Sequence, residues 1–346
     1  MSGLDATVVS SGGDVGAVSE IEVLETLGET TRFRFRVPVR IEDGDLAALA
    51  NGATDPGATV TLVASEELLV TGPVTGQRVH LSGEGETSYV DVLGGDRTLE
   101  MAREAKITSW SSMRASDAVT AVLADYGFVP EVTSTGTVFG PTGHDLVQRG
   151  TDLAFVRRLA RQHGYLFWLS TTPVGLEVAH FGPPPVSGSS EATLALHLDG
   201  AALDRVDLAW DADRPTMVTA AGLDSGTVET VDASVAASPL AAMAGQGLAA
   251  VNGGGYSALT VAAGDDASTL SGPANDALTE ADLFVRARAA TTYTRAGRVL
   301  HAHTLIDLDG LGQRHSGAWL VASVRHIVDA VSHRMECTFV RNGWEG

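Results

Sequence analysis

The sequence has one cysteine, Cys337, one lysine, Lys106, and few aromatic residues, which make up 5% of the chain. A single thiol excludes an internal disulfide and every multi-cysteine metal site. A membrane-spanning helix needs about 18–20 consecutive apolar residues. No window approaches that length, so no membrane segment is expected. The opening MSGLDATVVSSGGDVG lacks the basic and apolar regions of a signal peptide. Apolar residues still reach 44%, so Val, Leu and Ala must fill the core, and disorder is excluded for most of the chain. Acidic side chains number 43 against 23 basic ones, a net charge of −20. Such a surface repels phosphate and argues against nucleic-acid and anionic-membrane partners. The bias suits a saline habitat and a GC-rich genome equally.

Catalytic signatures are also missing. There is no GxSxG, HExxH, Walker loop or CxxC. The segment GQGLAAVNGGG (245–255) has the wrong glycine spacing for a phosphate loop and no basic residue after it. No enzyme, cofactor or metal is therefore expected.

The length of 346 residues suggests about two domains. Residues 1–19 are small and polar and read as a frayed, flexible N-terminus. Ordered β structure is expected from Ile21, where Phe33, Phe35, Val37 and Val39 alternate with Arg32, Arg34, Arg36 and Pro38. Strands at 58–64, 67–71, 75–82 and 88–93 follow at antiparallel spacing. The period then changes. ASDAVTAVLADYGF predicts a helix capped by Ser116 and stopped by Gly127, and TDLAFVRRLARQHG predicts one capped by Thr151 or Asp152 and stopped by Gly164. An apolar strand at 165–169 and LEVAHF complete this central part.

After the linker PPPVSGSSE, strands are expected at 193–198, 203–210, 217–223 and 226–231. The Ala/Ser/Gly-rich stretch 232–277 reads as a mobile loop or insertion. A third helix is expected from Thr279, then strands in AGRVLHAHTLI, SGAWLVASVRHIV and HRMECTFVRN, with Cys337 in the core. The expected fold is α+β and β-dominated. Its units are a first β-barrel at 20–105, a helix-containing α+β domain at 106–185 and a second β-barrel at 186–346.

Five histidines, His301, His303, His315, His326 and His333, lie close in sequence, with Asp307 and Asp309 between them. His301 and His303 would share a strand face, a spacing able to present two imidazoles to a metal. Polar surface is the stronger reading of that pair, and His326 reads as a hydrogen-bonded packing residue. Asp207, Asp211 and Asp213, and Asp265 with Asp266, read as solvated acidic loops rather than an acid/base pair. Arg32, Arg34 and Arg36 repel one another at period two unless a partner or lumen neutralises them. They are candidate interface residues. Arg157, Arg158 and Arg161 are a second candidate, although a solvated helix face is the default for them.

The segment DRTLEMAREAKITSWSSMRASDAVTAVLADYGF followed by HDLVQRGTDLAFVRRLARQHGYLFWL resembles the late-control protein D type of phage tail hub. The same module begins the valine-glycine-repeat spikes of type VI secretion and forms the hub of extracellular contractile injection systems. The shared features are a strand-to-helix passage ending in YG, and a helix running into an aromatic strand. The second is carried here by Gln148, Thr151, Asp152, Phe155, Val156, Leu159, Gly164, Tyr165, Phe167 and Trp168. The closing strands match through Ser316-Gly317, Val321, His326, Thr338 and Arg341-Asn342. The likeness spans roughly 20–345, with 232–277 unaccounted for.

This resemblance implies two barrels similar to tail-tube subunits with an α+β region between them. It also implies a homotrimer whose six barrels match a hexameric inner tube. The chain ends at Gly346, so the spike is expected to be encoded separately. The implied role is a structural baseplate hub, assembled in the cytoplasm and carried in a phage, intracellular or released tail-like particle. Its partners would be itself, the inner tube protein, the spike and other baseplate components. The alternatives are a tail-tip cell-wall hydrolase and a sugar-binding adhesin. In a trimer the charge becomes about −60 per ring. The acidic excess is then expected on solvent and channel surfaces, with arginine at subunit contacts.

Overall fold

A computed structural model describes residues 6–39, 41–42, 45–46, 49, 52–83, 88–136, 138–139, 146–172, 175–196, 202–223, 229–261 and 267–345. The fold is β-dominated. Its main feature is one twelve-stranded sheet fed by both ends of the chain. Six strands come from the N-terminal part, in the order Ala6–Ser10, Thr59–Ala64, Glu67–His80, Tyr89–Gly95, Arg32–Pro38 and Glu20–Thr26. The path then crosses to Gly317–Asp329, His333–Arg341, Val285–Thr292 and Val206–Trp210. Leu305–Asp309 pairs with Gly317–Asp329, and Thr193–Ala195 pairs with Leu305–Asp309. The antiparallel pairing of Glu20–Thr26 with Gly317–Asp329 joins the two β blocks, and one hydrophobic cluster, from Phe35 and Ile21 to Trp319 and Phe339, runs through both.

Alternation explains the sheet. Phe33, Phe35 and Val37 are buried on one face, while Arg34 and Arg36 are half-buried on the other. Where two strands were expected at 67–71 and 75–82, one strand, Glu67–His80, spans both. A register shift between Val74 and Gly76 bends it, and a bulge there keeps both halves paired. The N-terminal residues are less frayed than expected, since Ala6–Ser10 pairs antiparallel with Thr59–Ala64. Residues 1–5 lie outside the described residues.

The central region packs around its own cluster, including Met101, Val119, Leu123, Phe155, Val156, Leu159, Phe167 and Phe181. Helix Asp152–Gln162 starts as expected, with the Thr151 hydroxyl accepting from the Ala154 N–H at 3.2 Å. Helix Ala115–Ala124 starts two residues earlier than expected. Arg114 is its N-cap, and Asp117 accepts from the Arg114 N–H at 3.2 Å. Ser116 is buried and ties down the incoming loop instead, accepting from the Thr135 N–H at 3.2 Å.

Two expectations in the second half are corrected. The stretch 232–277 holds regular structure. Thr230–Val235 and Ser257–Val261 flank Met217–Leu223 in a three-stranded sheet, covered by helix Ala267–Asp282. Val218, Ala220, Leu270, Ala274 and Leu278 form its core. Small residues give weak amphipathic contrast but allow close approach. A Cβ on Gly272 would lie 1.8 Å from the Gln162 carbonyl oxygen, so this helix can press against Asp152–Gln162 only through glycine. The expected helix from Thr279 is likewise displaced. Thr279 sits near the end of helix Ala267–Asp282, and Val285–Thr292 is a strand. Val285 and Ala287 are buried while Arg286 and Arg288 are exposed, a period of two rather than 3.6.

Candidate functional site

Two charged assemblies flank the junction of the β blocks, one on each face of the sheet. On the outer face Arg34 lies between three carboxylates. It bonds Glu20, Glu22 at 2.8 Å and Asp91 at 3.2 Å. Arg36 bonds Asp91 at 2.8 Å and stacks on the Tyr89 ring at 3.9 Å. The row continues across the junction, where Arg325 bonds Glu22 at 2.7 Å and Glu336 at 3.3 Å, and Arg334 reaches Glu336 at 3.6 Å. Four arginines thus face four carboxylates, and this belt carries none of the acidic excess. Hydrogen bonds from Arg325 and Arg34 outweigh burial and hold the Glu22 carboxyl below its ordinary pKa. The repulsion expected among Arg32, Arg34 and Arg36 is therefore relieved within the chain, without a partner or lumen. Arg32, at the end of the row, is exposed.

The helix arginines, expected to point largely outward, divide. Arg157 pairs with Glu29 at 3.2 Å and donates to the Thr30 hydroxyl at 3.0 Å. Arg158 donates to the Val147 carbonyl at 2.8 Å and lies 5.4 Å from the Phe155 ring centre. Burial lowers the pKa of both. These two are half-buried braces, whereas Arg161 is exposed.

On the inner face the apolar alternation is broken by charge. Ile21, Val23 and Glu25 point inward together, so Glu25 occupies a position where a strand of this kind ordinarily carries an aliphatic residue. Its Oε1 lies 2.9 Å from His301 Nδ1 and 3.2 Å from His326 Nε2. Its Oε2 accepts from the Ala302 N–H at 2.9 Å. His326 is fully buried, and its Nδ1 lies 3.0 Å from His333 Nε2. His333 Nδ1 in turn meets the Ser65 hydroxyl at 2.9 Å. His326 is thus the hydrogen-bonded packing residue that its strand pattern indicates.

Burial opposes the charge on Glu25, but His301 and His326 outweigh it and hold the carboxyl far below its usual range. Burial also opposes charge on His301, yet Glu25 and Glu67 push it up to about 10. Burial and the neighbouring His326 bring His333 down to about 4, and burial pushes the Cys337 thiol up to about 12.

His301 and His303 do not share a strand face. They lie in a turn ahead of strand Leu305–Asp309 and point to different partners. His303, at φ 67°, accepts from the Gly28 N–H at 2.9 Å, and burial lowers it to about 4. Its ring stacks 4.5 Å from that of Trp168, which also stacks 4.5 Å from that of His180. Trp168, His180, His303, His301 and Glu25 line one cleft of about 330 Å³. His315 stands apart, its carbonyl accepting from Trp319 Nε1 at 2.9 Å, and Asp307 accepts from Ser190 at 2.8 Å.

Asp207 pairs with Arg205 at 2.6 Å and Asp211 with Arg214 at 3.3 Å. Asp265 and Asp266 lie outside the described residues. Sequence reasoning missed Glu25, Glu67 and His180. The available signal was the phase of Glu25, a carboxylate in register with Ile21 and Val23.

The architecture is that of phage tail proteins. The tail protein from Neisseria meningitidis MC58 superposes with a TM-score of 0.66 at 16% identity, covering 99% of this chain and 98% of that one. The 43 kDa tail protein of prophage MuSo2 from Shewanella oneidensis gives 0.65 at 15% identity, covering 97% and 98%. The E. coli c3393 protein, a component of the type VI secretion system, gives 0.60 at 13% identity, covering 97% and 76%. These likenesses agree with the hub-family resemblance carried by the sequence. By sequence, residues 40–330 match the family described as the Alg8 N-terminal domain, and the chain belongs to that family. No curated protein sequence matches it.

Proposed function

We propose that this chain is a structural baseplate hub of a contractile tail or injection system, acting as a homotrimer between a hexameric inner tube and a trimeric spike. The observation that carries the reading is the shared fold with tail proteins over nearly the whole chain. The sheet supports it too. Six strands come from each half, which suits two tube-like barrels per chain and six per trimer. The domain units proposed are a first barrel at 20–105, an α+β domain at 106–185 and a second barrel at 186–346.

The path of the sheet ends at two different strands, Ala6–Ser10 and Val206–Trp210. A head-to-tail ring needs two such unlike edges, each meeting the other on the next copy. Leu208 and Trp210 on the second edge are 39% and 57% exposed, an apolar surface that a neighbouring copy would cover. Such a hub works by geometry and buried area, and the proposed role involves no catalysis. With the Arg34 belt balanced internally, Arg32 and Arg161 are the exposed members of the six candidate arginines and are offered for subunit contacts.

Light scattering on the purified chain is expected to give three times the 35.8 kDa chain mass. A stable dimer or tetramer would defeat the reading. The Leu208→Lys/Trp210→Lys double variant is expected to keep the monomer's circular dichroism and lose the trimer.

A further inference from the structure

We propose that Glu25, His301 and His326 form a site for a divalent transition metal, Zn²⁺, that ties the first β block to the second. The proposal is independent of the assembly role. One carboxylate oxygen and two imidazole nitrogens, with a fourth position left for water, form a zinc donor set. One donor atom from each of Glu25, His301 and His326 lies within 4.8 Å of the others, and Glu25 Oε1 is 2.9 Å from His301 Nδ1 and 3.2 Å from His326 Nε2. Four ligands at about 2.0–2.1 Å stand about 3.3 Å apart along a tetrahedron's edges, so small movements would complete the shell.

The surrounding groups orient each donor. Metal-binding histidines ordinarily direct their second nitrogen to a carboxylate or another acceptor. His301 Nε2 lies 3.5 Å from Glu67 Oε2, and His326 Nδ1 lies 3.0 Å from His333 Nε2, which is held in turn through Ser65. The second oxygen of Glu25 is engaged by the Ala302 N–H, which leaves Oε1 to face the histidines.

The backbone is bent to make this arrangement. Ser65 and Glu66 are both left-handed, at φ 52° and 65°, in the turn that delivers Ser65 and Glu67, and His303 at φ 67° shapes the turn that delivers His301. Non-glycine residues hold such conformations only where their surroundings dictate them. Glu25 and His326 come from adjacent strands of the sheet, rigid supports on which donor positions are well defined. Glu25 and His301 also border the cleft, which gives an ion a route in and room for the water.

The full chain, made without a histidine tag and stripped of metal, is titrated with ZnCl₂ by calorimetry and with CoCl₂ by visible absorption. One ion per chain is expected, with a Kd of about 1 μM or tighter. A Zn²⁺ concentration one hundred times Kd should raise the thermal midpoint by about 4 °C. Co²⁺ should show the intense visible bands of a tetrahedral site. His301→Ala is expected to weaken binding at least about tenfold, while His315→Ala, outside the cleft, leaves it unchanged. A wild-type chain that takes up no Zn²⁺ overturns the proposal, and so does a His301→Ala chain that binds like wild type. Should His301→Ala lose its far-ultraviolet signal, His301→Asn takes its place with the same expected loss.

Discussion

Asp152→Ala is expected to lower the unfolding free energy by about 2–4 kcal/mol, since each buried donor left without its acceptor costs about 1–3 kcal/mol and Lys106, 32% exposed, can turn to water. Asp152 is 1% exposed at the first position of helix Asp152–Gln162. It accepts from Lys106 Nζ at 2.7 Å, from the Tyr126 hydroxyl at 2.6 Å and from Gln148 Nε2 at 2.6 Å. Alanine would leave all three donors without their acceptor and remove a negative charge from the positive end of the helix. The chain's one lysine is thus committed to a buried carboxylate that accepts three hydrogen bonds. Three members of the hub-family pattern, Gln148, Thr151 and Asp152, also have a structural account, as staple, helix cap and anchor.

The same group sets an acid limit. Burial opposes the Asp152 charge, but hydrogen bonds from Lys106, Tyr126 and Gln148 outweigh it and lower the pKa. A carboxylate with a depressed folded-state pKa stabilises fully above its unfolded value of about 3.9 and loses that contribution as pH falls through the folded value. Urea midpoints for wild type and Asp152→Asn should therefore keep a constant gap down to about pH 5 and converge below it. A gap unchanged at about pH 2, or an Asp152→Ala cost under about 1 kcal/mol, would show that the network contributes little.

Trp319→Ala is expected to cost about 3–5 kcal/mol, as large-to-small changes of aromatic core residues do. For a chain of 346 residues this corresponds to a fall of about 4–7 °C in Tm. Trp319 is fully buried, its Nε1 donates to the His315 carbonyl at 2.9 Å, and Arg341 lies 5.8 Å from its ring centre. The surrounding strands cannot collapse into the space without breaking their register. Trp210→Ala, at 57% exposure within the single chain, should shift the Tm of the monomer far less, within the small range of surface substitutions. Differential scanning calorimetry of the two variants side by side checks this, and equal shifts would contradict it.

How much could be read in advance depended on sequence distance. Helix Asp152–Gln162 was legible because cap, apolar spacing and stop are all local. The inward and outward phases of Arg32–Pro38 were legible for the same reason. The neutralisation of Arg34 and Arg36 was not, because Asp91 lies 57 and 55 positions away. The stretch 232–277 concealed its order because alanine, serine and glycine carry almost no periodic contrast, and its helix is positioned by the approach of Gly272 to Gln162. The candidate site was half visible. The histidines were conspicuous, but their grouping around Glu25 depends on strand pairing across about 300 positions.

Composition alone excluded disulfides and multi-cysteine metal sites, and local pattern placed the central helices and most strands, because those properties depend on residue type and near neighbours. The two tryptophans mark where that reach ends. Ala209-Trp210 and Ala318-Trp319 are the same dipeptide in two expected strands. Trp319 lies on a strand paired on both sides, by Leu305–Asp309 and Glu20–Thr26 on one and by His333–Arg341 on the other, while Trp210 lies on the last strand of the path. One became core and the other surface through sheet order. That order is set by contacts between distant segments, which no local pattern encodes.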